Sequence, residues 1–277
     1  MIDARRLGGW IAVAVVVGPL LVLPLVAVAD AWRAPALLPQ QFGLRGLEIL
    51  FDPRSGVPAA VGLSTVVAVL ATGVALLVGW PAARWLVTAR RLRAAALALL
   101  FVPLLVPPYA AGFGLTTWLL RLGASGSLIG LVVGHLFYVL PYVVLVLAAG
   151  FSRRVDQLDE AAATLGAGQW TRLRLITMPA MAPALAVAAL LGFVISWGQY
   201  GTSLAVGGGR LTLPLVLLPF VGPDPQVAAA LTLAFLVPPV AALVLMVHFL
   251  PASARADDPA AGMGLTTRWL STPEEQS

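Results

Sequence analysis

The side chains able to do chemistry are concentrated in one stretch. Between Ser152 and Pro183 the chain carries Asp156, Gln157, Asp159 and Glu160, then Arg172 and Arg174, in a sequence that is otherwise 60% hydrophobic and only 10% charged. Neighbouring carboxylates can serve acid–base chemistry or hold a metal. Here no partner stands beside them, because His135 and His248 lie elsewhere in the sequence and cysteine is absent. Thiolate metal sites and disulfides are therefore excluded, and no catalytic or metal-binding residue is expected. The spacing fits docking instead. Asp156 reads as the N-cap of a short helix with Asp159 and Glu160 in its first turn, and Gly166 reads as the left-handed stop. Leu158, Ala161, Ala162 and Leu165 recur at helical spacing as one shallow apolar face. A second short helix is expected from Gln169, with Trp170 and Leu173 on one side, before Pro179 and Pro183 reset the chain.

The elements around this stretch are apolar runs at about Gly8–Ala29, Pro58–Trp80, Ala94–Leu120, Leu128–Gly150, Ala182–Val206 and Val227–Leu250. Each can cross a bilayer as a helix of about 20 residues. The runs are continuous rather than alternating with period two, so an all-α integral membrane protein with six spans is expected, not a β-barrel. None of the runs contains Asp or Glu, as the cost of a charge in hydrocarbon requires. The expected organisation is an N-terminal span and periplasmic loop over residues 1–57, a five-helix core over 58–251 with the polar loop at 152–180, and a polar tail over 252–277.

All 17 basic residues are arginine. A Walker A site needs a lysine, so the chain cannot hydrolyse ATP through a P-loop of its own. The arginines fall between apolar runs rather than on one stripe, which argues for topology-setting charge and against nucleic-acid binding. Arg5, Arg6, Arg84, Arg90, Arg91, Arg93, Arg153, Arg154, Arg172, Arg174, Arg255 and Arg268 flank one set of span ends, against Arg33, Arg45, Arg54, Arg121 and Arg210 on the other. The positive-inside rule then puts both termini and the polar loop in the cytoplasm. Ala27-Val28-Ala29 mimics a signal-peptidase site, but the preceding apolar stretch is longer than a signal sequence needs, so a span is expected.

Pro103, Pro107 and Pro108 should bend the third span, and Gly130 with Gly134 permits close helix contact on the fourth. Polar and aromatic groups that interrupt apolar spans nominate a solute pathway: Tyr109, His135, Tyr138, Ser196, Trp197, Gln199 and Tyr200.

In the polar loop the order is Glu160-Ala161-Ala162, then Gly166, then Ile176-Thr177-Met178-Pro179. It resembles the permease family of binding-protein-dependent ABC importers, whose pattern is E-A-A, three residues, G, nine residues, I-x-L-P; only Met178 departs from it, conserving volume. The resemblance implies a type I importer fold with a cytoplasmic coupling helix between spans four and five. Asp159, Glu160, Ala161, Ala162, Thr164, Leu165 and Gly166 would meet a separate ATPase dimer. It also implies ATP and Mg²⁺ on that partner with no cofactor on this chain, an extracytoplasmic substrate-binding protein, and a second permease subunit, a sister chain favoured over a second copy. The location implied is a bacterial inner membrane. Ala163-Thr164-Leu165-Gly166-Ala167, Gly207-Gly208-Gly209 and Thr212-Leu213-Pro214 look similar to permeases for polyamines, thiamine, iron or phosphonates, with a lean toward a small cationic solute. The alternatives are a sugar-type permease and a secondary transporter, although the latter needs an ionisable relay or repeated broken helices that the sequence does not show clearly. A membrane enzyme would need clustered acids or histidines facing the membrane surface, which are also missing.

Overall fold

The computed structural model describes residues 4–33, 35–89 and 91–249; the expected tail at 252–277 lies outside them. Helix α1 (Ala4–Ala27) leads to a two-stranded antiparallel ribbon, β1 (Ala29–Ala31) and β2 (Gln41–Phe42), and to the single turn α2 (Arg45–Glu48). Next come α3 (Val57–Thr88), α4 (Arg93–Leu105), α5 (Pro108–Arg121) and α6 (Leu128–Gly150). Helix α7 (Arg153–Thr164) and the short α8 (Gln169–Arg172) run into a π-helical turn, Leu173–Thr177, and α9 (Met178–Ala180). The chain continues as α10 (Ala182–Trp197), α11 (Gly201–Val206), α12 (Leu213–Leu217) and α13 (Pro225–Phe249).

Among the described residues, three helices, α3, α6 and α13, are long and apolar enough to cross a membrane. Two bent pairs, α4 with α5 at 102° and the α8–α9 segment with α10 at 69°, raise the number to five if each pair is one span. The sixth expected run falls on α1, whose described apolar part covers Val17–Ala27. The expectation of helices holds, with β1 and β2 as a small addition outside the spans.

Helices α3, α6 and α10 form the centre. Ala68, Ala71, Ala75 and Ala83 on α3 are all fully buried, because small side chains at three- and four-residue spacing let backbones approach where lipid supplies no hydrophobic drive. Val139, Val143, Val144 and Leu147 of α6 fill the space opposite, closed by Met181 and Ala188. Gly134 serves the fourth span as expected, and inside the subunit: a Cβ there would stand 2.9 Å from Val206 of α11.

Helix α3 runs through Pro81 to Thr88, eight residues past its expected end. The third run breaks instead of bending gently. Val106 adopts an extended conformation and Pro108 opens α5 at its first turn, where a missing amide costs nothing. The fifth run is also broken, at Gly198–Tyr200 between α10 and α11.

Outside the spans, Arg45 ties α2 to the start of α13 through two bonds to Asp224, 2.5 and 3.1 Å long. The Arg45 hydrogen bond holds the Asp224 carboxyl below the usual carboxylate range, aided by the Val227 amide. A carboxyl depressed in the folded state stabilises the fold above its unfolded pKa, and this contribution disappears as pH falls through the folded value. Asp224→Asn should therefore lose stability relative to wild type at neutral pH and lose this difference on acidification below about pH 4. Thermal unfolding of the purified protein across that range measures it.

Candidate functional site

Two places gather the polar groups. The first is the elbow around α7. Ser152, in an extended conformation, takes the N-cap position, so Asp156 sits inside the first turn and Asp159 and Glu160 fall mid-helix. The shift follows from Arg153-Arg154-Val155 joining the helix: Val155 is buried, which draws the helix start back by one turn. The stop is as expected. Gly166 has φ of 82°, its amide bonds Ala163 O and the Ala167 amide bonds Ala162 O, each at 3.0 Å. These are the two reversed bonds of a Schellman ending.

The helix has two unlike sides. Inward, Asp156 pairs with Arg84 at the end of α3 at 2.5 Å, and that guanidinium lies over the Phe151 ring at 5.3 Å. Asp159 turns the same way, accepting from Arg172 at 3.0 Å and from the Thr177 hydroxyl at 3.3 Å. These groups, with Trp80, line a cavity of about 320 Å³ between α7 and the helix core. The expected second helix from Gln169 is present but loosens at once into the π-helical turn, on which Thr177 sits. Outward, Glu160, Ala161 and Thr164 are exposed, Leu165 is 87% exposed and Trp170 73% exposed. Of the expected apolar face, Leu158, Ala161 and Leu165 are uncovered and only Ala162 is half-buried. Asp159 thus belongs to the inner side, apart from the other nominees. Sequence reasoning missed Arg84 and Thr177 as its fixtures; the one signal was an arginine placed 72 residues before Asp156, which spacing cannot connect.

The second place is the break in the fifth span. His135 of α6, only 2% exposed, reaches Ser196 Oγ on α10 with Nδ1 at 2.8 Å and Ser203 Oγ on α11 with Nε2 at 2.9 Å. Ser203 donates its only proton to the Gln199 carbonyl at 2.6 Å. Its oxygen must then accept from Nε2–H, which leaves Nδ1 to accept from Ser196. One neutral imidazole thereby bridges both sides of the gap. Thr202 donates to the Gln199 side chain at 3.0 Å and completes the cluster. Among the pathway nominees, the structure brings together His135, Ser196 and Gln199, with Tyr200 adjoining in the break. Trp197 is elsewhere, buried between Phe193 and Phe235 and donating to Phe235 O at 2.9 Å. Tyr138 donates to Val106 O at 2.7 Å, inside the break of the third run. Tyr109 is exposed on α5, edge-on to Phe113. Ser203 and Thr202 were not foreseen, since a hydroxyl in an apolar run carries no mark of its partner.

Replacing His135 by Ala leaves two buried hydroxyls short of a partner, so His135→Ala should lower stability by about 1–3 kcal/mol. Ser196→Ala combined with it should cost less than the sum, with a coupling of about 1 kcal/mol. Thermal or denaturant unfolding of the two single variants and the double variant tests the bridge.

Residues 75–255, spanning the core helices and both places, match the family described as binding-protein-dependent transport system inner membrane component. The molybdenum transport system permease protein ModB of Azotobacter vinelandii is 36% identical over 164 residues, 54% of this chain and 73% of that protein. Its namesake in Mycobacterium bovis is 31% identical over 255 residues, 86% of this chain and 92% of that one. Neither name mentions a polyamine or another cationic solute, so the lean toward one finds no support. With the family matched over about two thirds of the chain and a relative aligned over nearly its full length, the chain belongs to the inner-membrane permeases of binding-protein-dependent ABC importers, of type I fold, and is a multi-pass transport subunit rather than an enzyme.

Proposed function

We propose that this chain forms half of the translocation pathway of an ATP-driven importer for an oxyanion, and that α7 is its coupling helix. The observation that carries the second part is the two-sidedness of α7. Its inner side is bolted to α3 and to α8, which leads into α10, by two ion pairs. Its outer side presents Glu160, Ala161, Thr164, Leu165 and Gly166, uncovered by any of the described residues. A rigid lever with a bare grip fits a separate ATPase, which would hold ATP and Mg²⁺ that this lysine-free chain cannot hold through a P-loop. Closure of that engine would move α7, and the ion pairs would pass the motion to α3 and α10.

The solute is inferred from the relatives named for molybdenum, a metal that dissolves at neutral pH as an oxyanion. The spans of this chain suit an anion because they hold no carboxylate that would repel it. His135, Ser196, Gln199 and Tyr200 at the break of the fifth span are the pathway groups, offering neutral hydrogen bonds of the kind that release as easily as they bind. A second permease subunit completes the pathway, an extracytoplasmic binding protein delivers the anion, and both termini lie in the cytoplasm with the arginine-rich span ends.

The absence of native cysteine makes a single Leu165→Cys variant a clean probe. In native membranes it should crosslink to the ATPase subunit; capture of no ATPase under turnover would sink the coupling role. Among the described residues nothing lies within 4 Å of a Cβ at Gly166, so Gly166→Asp costs the fold only about 1–2 kcal/mol of left-handed strain. The variant should insert normally and yet lose uptake of labelled molybdate, and so should Ala161→Trp, which fills the grip. Normal uptake by both would reject the assignment.

A further inference from the structure

The loop after α11 borders a cavity of about 420 Å³, of whose lining the functional reading above uses only Tyr200. It is lined by Tyr200, Ser203, Leu204, Arg210, Leu215 and Leu218, among others. The loop is fixed to the turn before α6. Gly126 N donates to Val206 O at 3.1 Å, and a Cβ on Gly208, whose φ is 55°, would lie 2.5 Å from Gly126 Cα. The two backbones touch, and only glycine permits it. Arg210 is held on this platform by one bond, Nε to Gly126 O at 2.7 Å. That bond fixes the plane of the guanidinium and leaves its outer N–H groups for another acceptor. Among the described residues no carboxylate lies within ion-pair distance of Arg210, whereas Arg84 and Arg172 each have one and Arg45 has two.

The position of the cavity is as telling as its charge. Gly126 precedes α6 and α7 follows it, so Arg210 and the grip of α7 lie at opposite ends of a 23-residue span. Ser203, which is bonded to His135, also lines the cavity. An anion at Arg210 would therefore share its cavity with a member of the polar cluster at the break in the fifth span.

We propose that this cavity is a transient receiving site for a tetrahedral oxyanion, with the Arg210 guanidinium as its principal donor and the Tyr200 hydroxyl as the second. The proposal rests on the oxyanion reading above and adds the group that receives the solute. One preorganised cation, without a cage of others, suits a transport site, because an anion held by a full cluster would not move on. The planar fork of arginine also matches two oxygens of one oxyanion.

The test uses the complete transporter in proteoliposomes with its ATPase and loaded binding protein, and reads labelled molybdate taken up per ATP hydrolysed. Labelled sulfate is run in parallel to separate the two oxyanions. Both rates scale with the amount of folded complex, so their ratio is insensitive to folding yield. Arg210→Gln should lower the ratio by about fivefold or more, the scale of one charge-assisted hydrogen bond. Arg210→Lys should restore at least half of it, and Tyr200→Phe should lower it by a smaller factor. An unchanged ratio in Arg210→Gln overturns the site, whatever happens to the separate rates, as does an Arg210→Lys variant no better than the Gln one. Wild-type vesicles that import neither molybdate nor sulfate overturn the oxyanion reading beneath it, and that failure is visible before any variant is made.

Discussion

A backbone polar group inside an apolar bilayer has no water to turn to, and every irregularity in this fold is arranged around that constraint. Where the third run breaks at Val106, the freed carbonyl receives the Tyr138 hydroxyl from α6. Where the fifth run breaks after Trp197, the Gln199 carbonyl receives Ser203, which is held in turn by His135, again from α6. A single unbroken helix thus supplies the polar partners for two broken ones. Val139, one turn after His135, and Val143 and Val144 beyond it pack in the same core as Ala75 and Ala83 of α3, so the groups that repair the breaks are carried on a helix of the central core.

The same division of labour shapes α7. Its inner carboxylates each have one arginine, from two different parts of the chain, and these pairs are partly exposed. Their importance is directional rather than energetic, because exposed ion pairs add little stability but two pairs on one side fix which way a short helix points. The outer side can then stay apolar and uncovered. Leu165 and Trp170 would be poor choices for a surface with no partner, and the Schellman ending at Gly166 keeps the tip narrow. The π-helical turn that ends in Thr177 lies between this lever and α10, and such turns recur at functional sites.

Much of this was legible beforehand. Uninterrupted apolar runs fixed helices over strands, Gly134 and Gly166 announced a close approach and a left-handed stop, and the E-A-A…G pattern announced the family that residues 75–255 match. The errors have local causes. The start of α7 was placed too late because Arg153 and Arg154 read as topology-setting charge, when buried Val155 pulls them into the helix. The prolines of the third run announce its bend, but the break in the fifth run escapes hydropathy, because a break at Gly198–Tyr200 leaves the average over the run unchanged. The lean toward a cationic solute rests on short loop motifs, which do not measure the sign of a solute's charge.

Composition and periodicity determined that the chain is a helical membrane protein without a nucleotide lysine, a thiol or a carboxylate in its spans, because those properties depend only on which residues occur and at what spacing. The tertiary structure alone decided that Asp156 meets Arg84, that His135 spans the gap between Ser196 and Ser203, and that Arg210 is seated on Gly126. These partners are 72, 61, 68 and 84 residues apart. Hydrogen bonds act over a few ångströms in space, so no pattern along the chain can specify them until packing has brought the helices together.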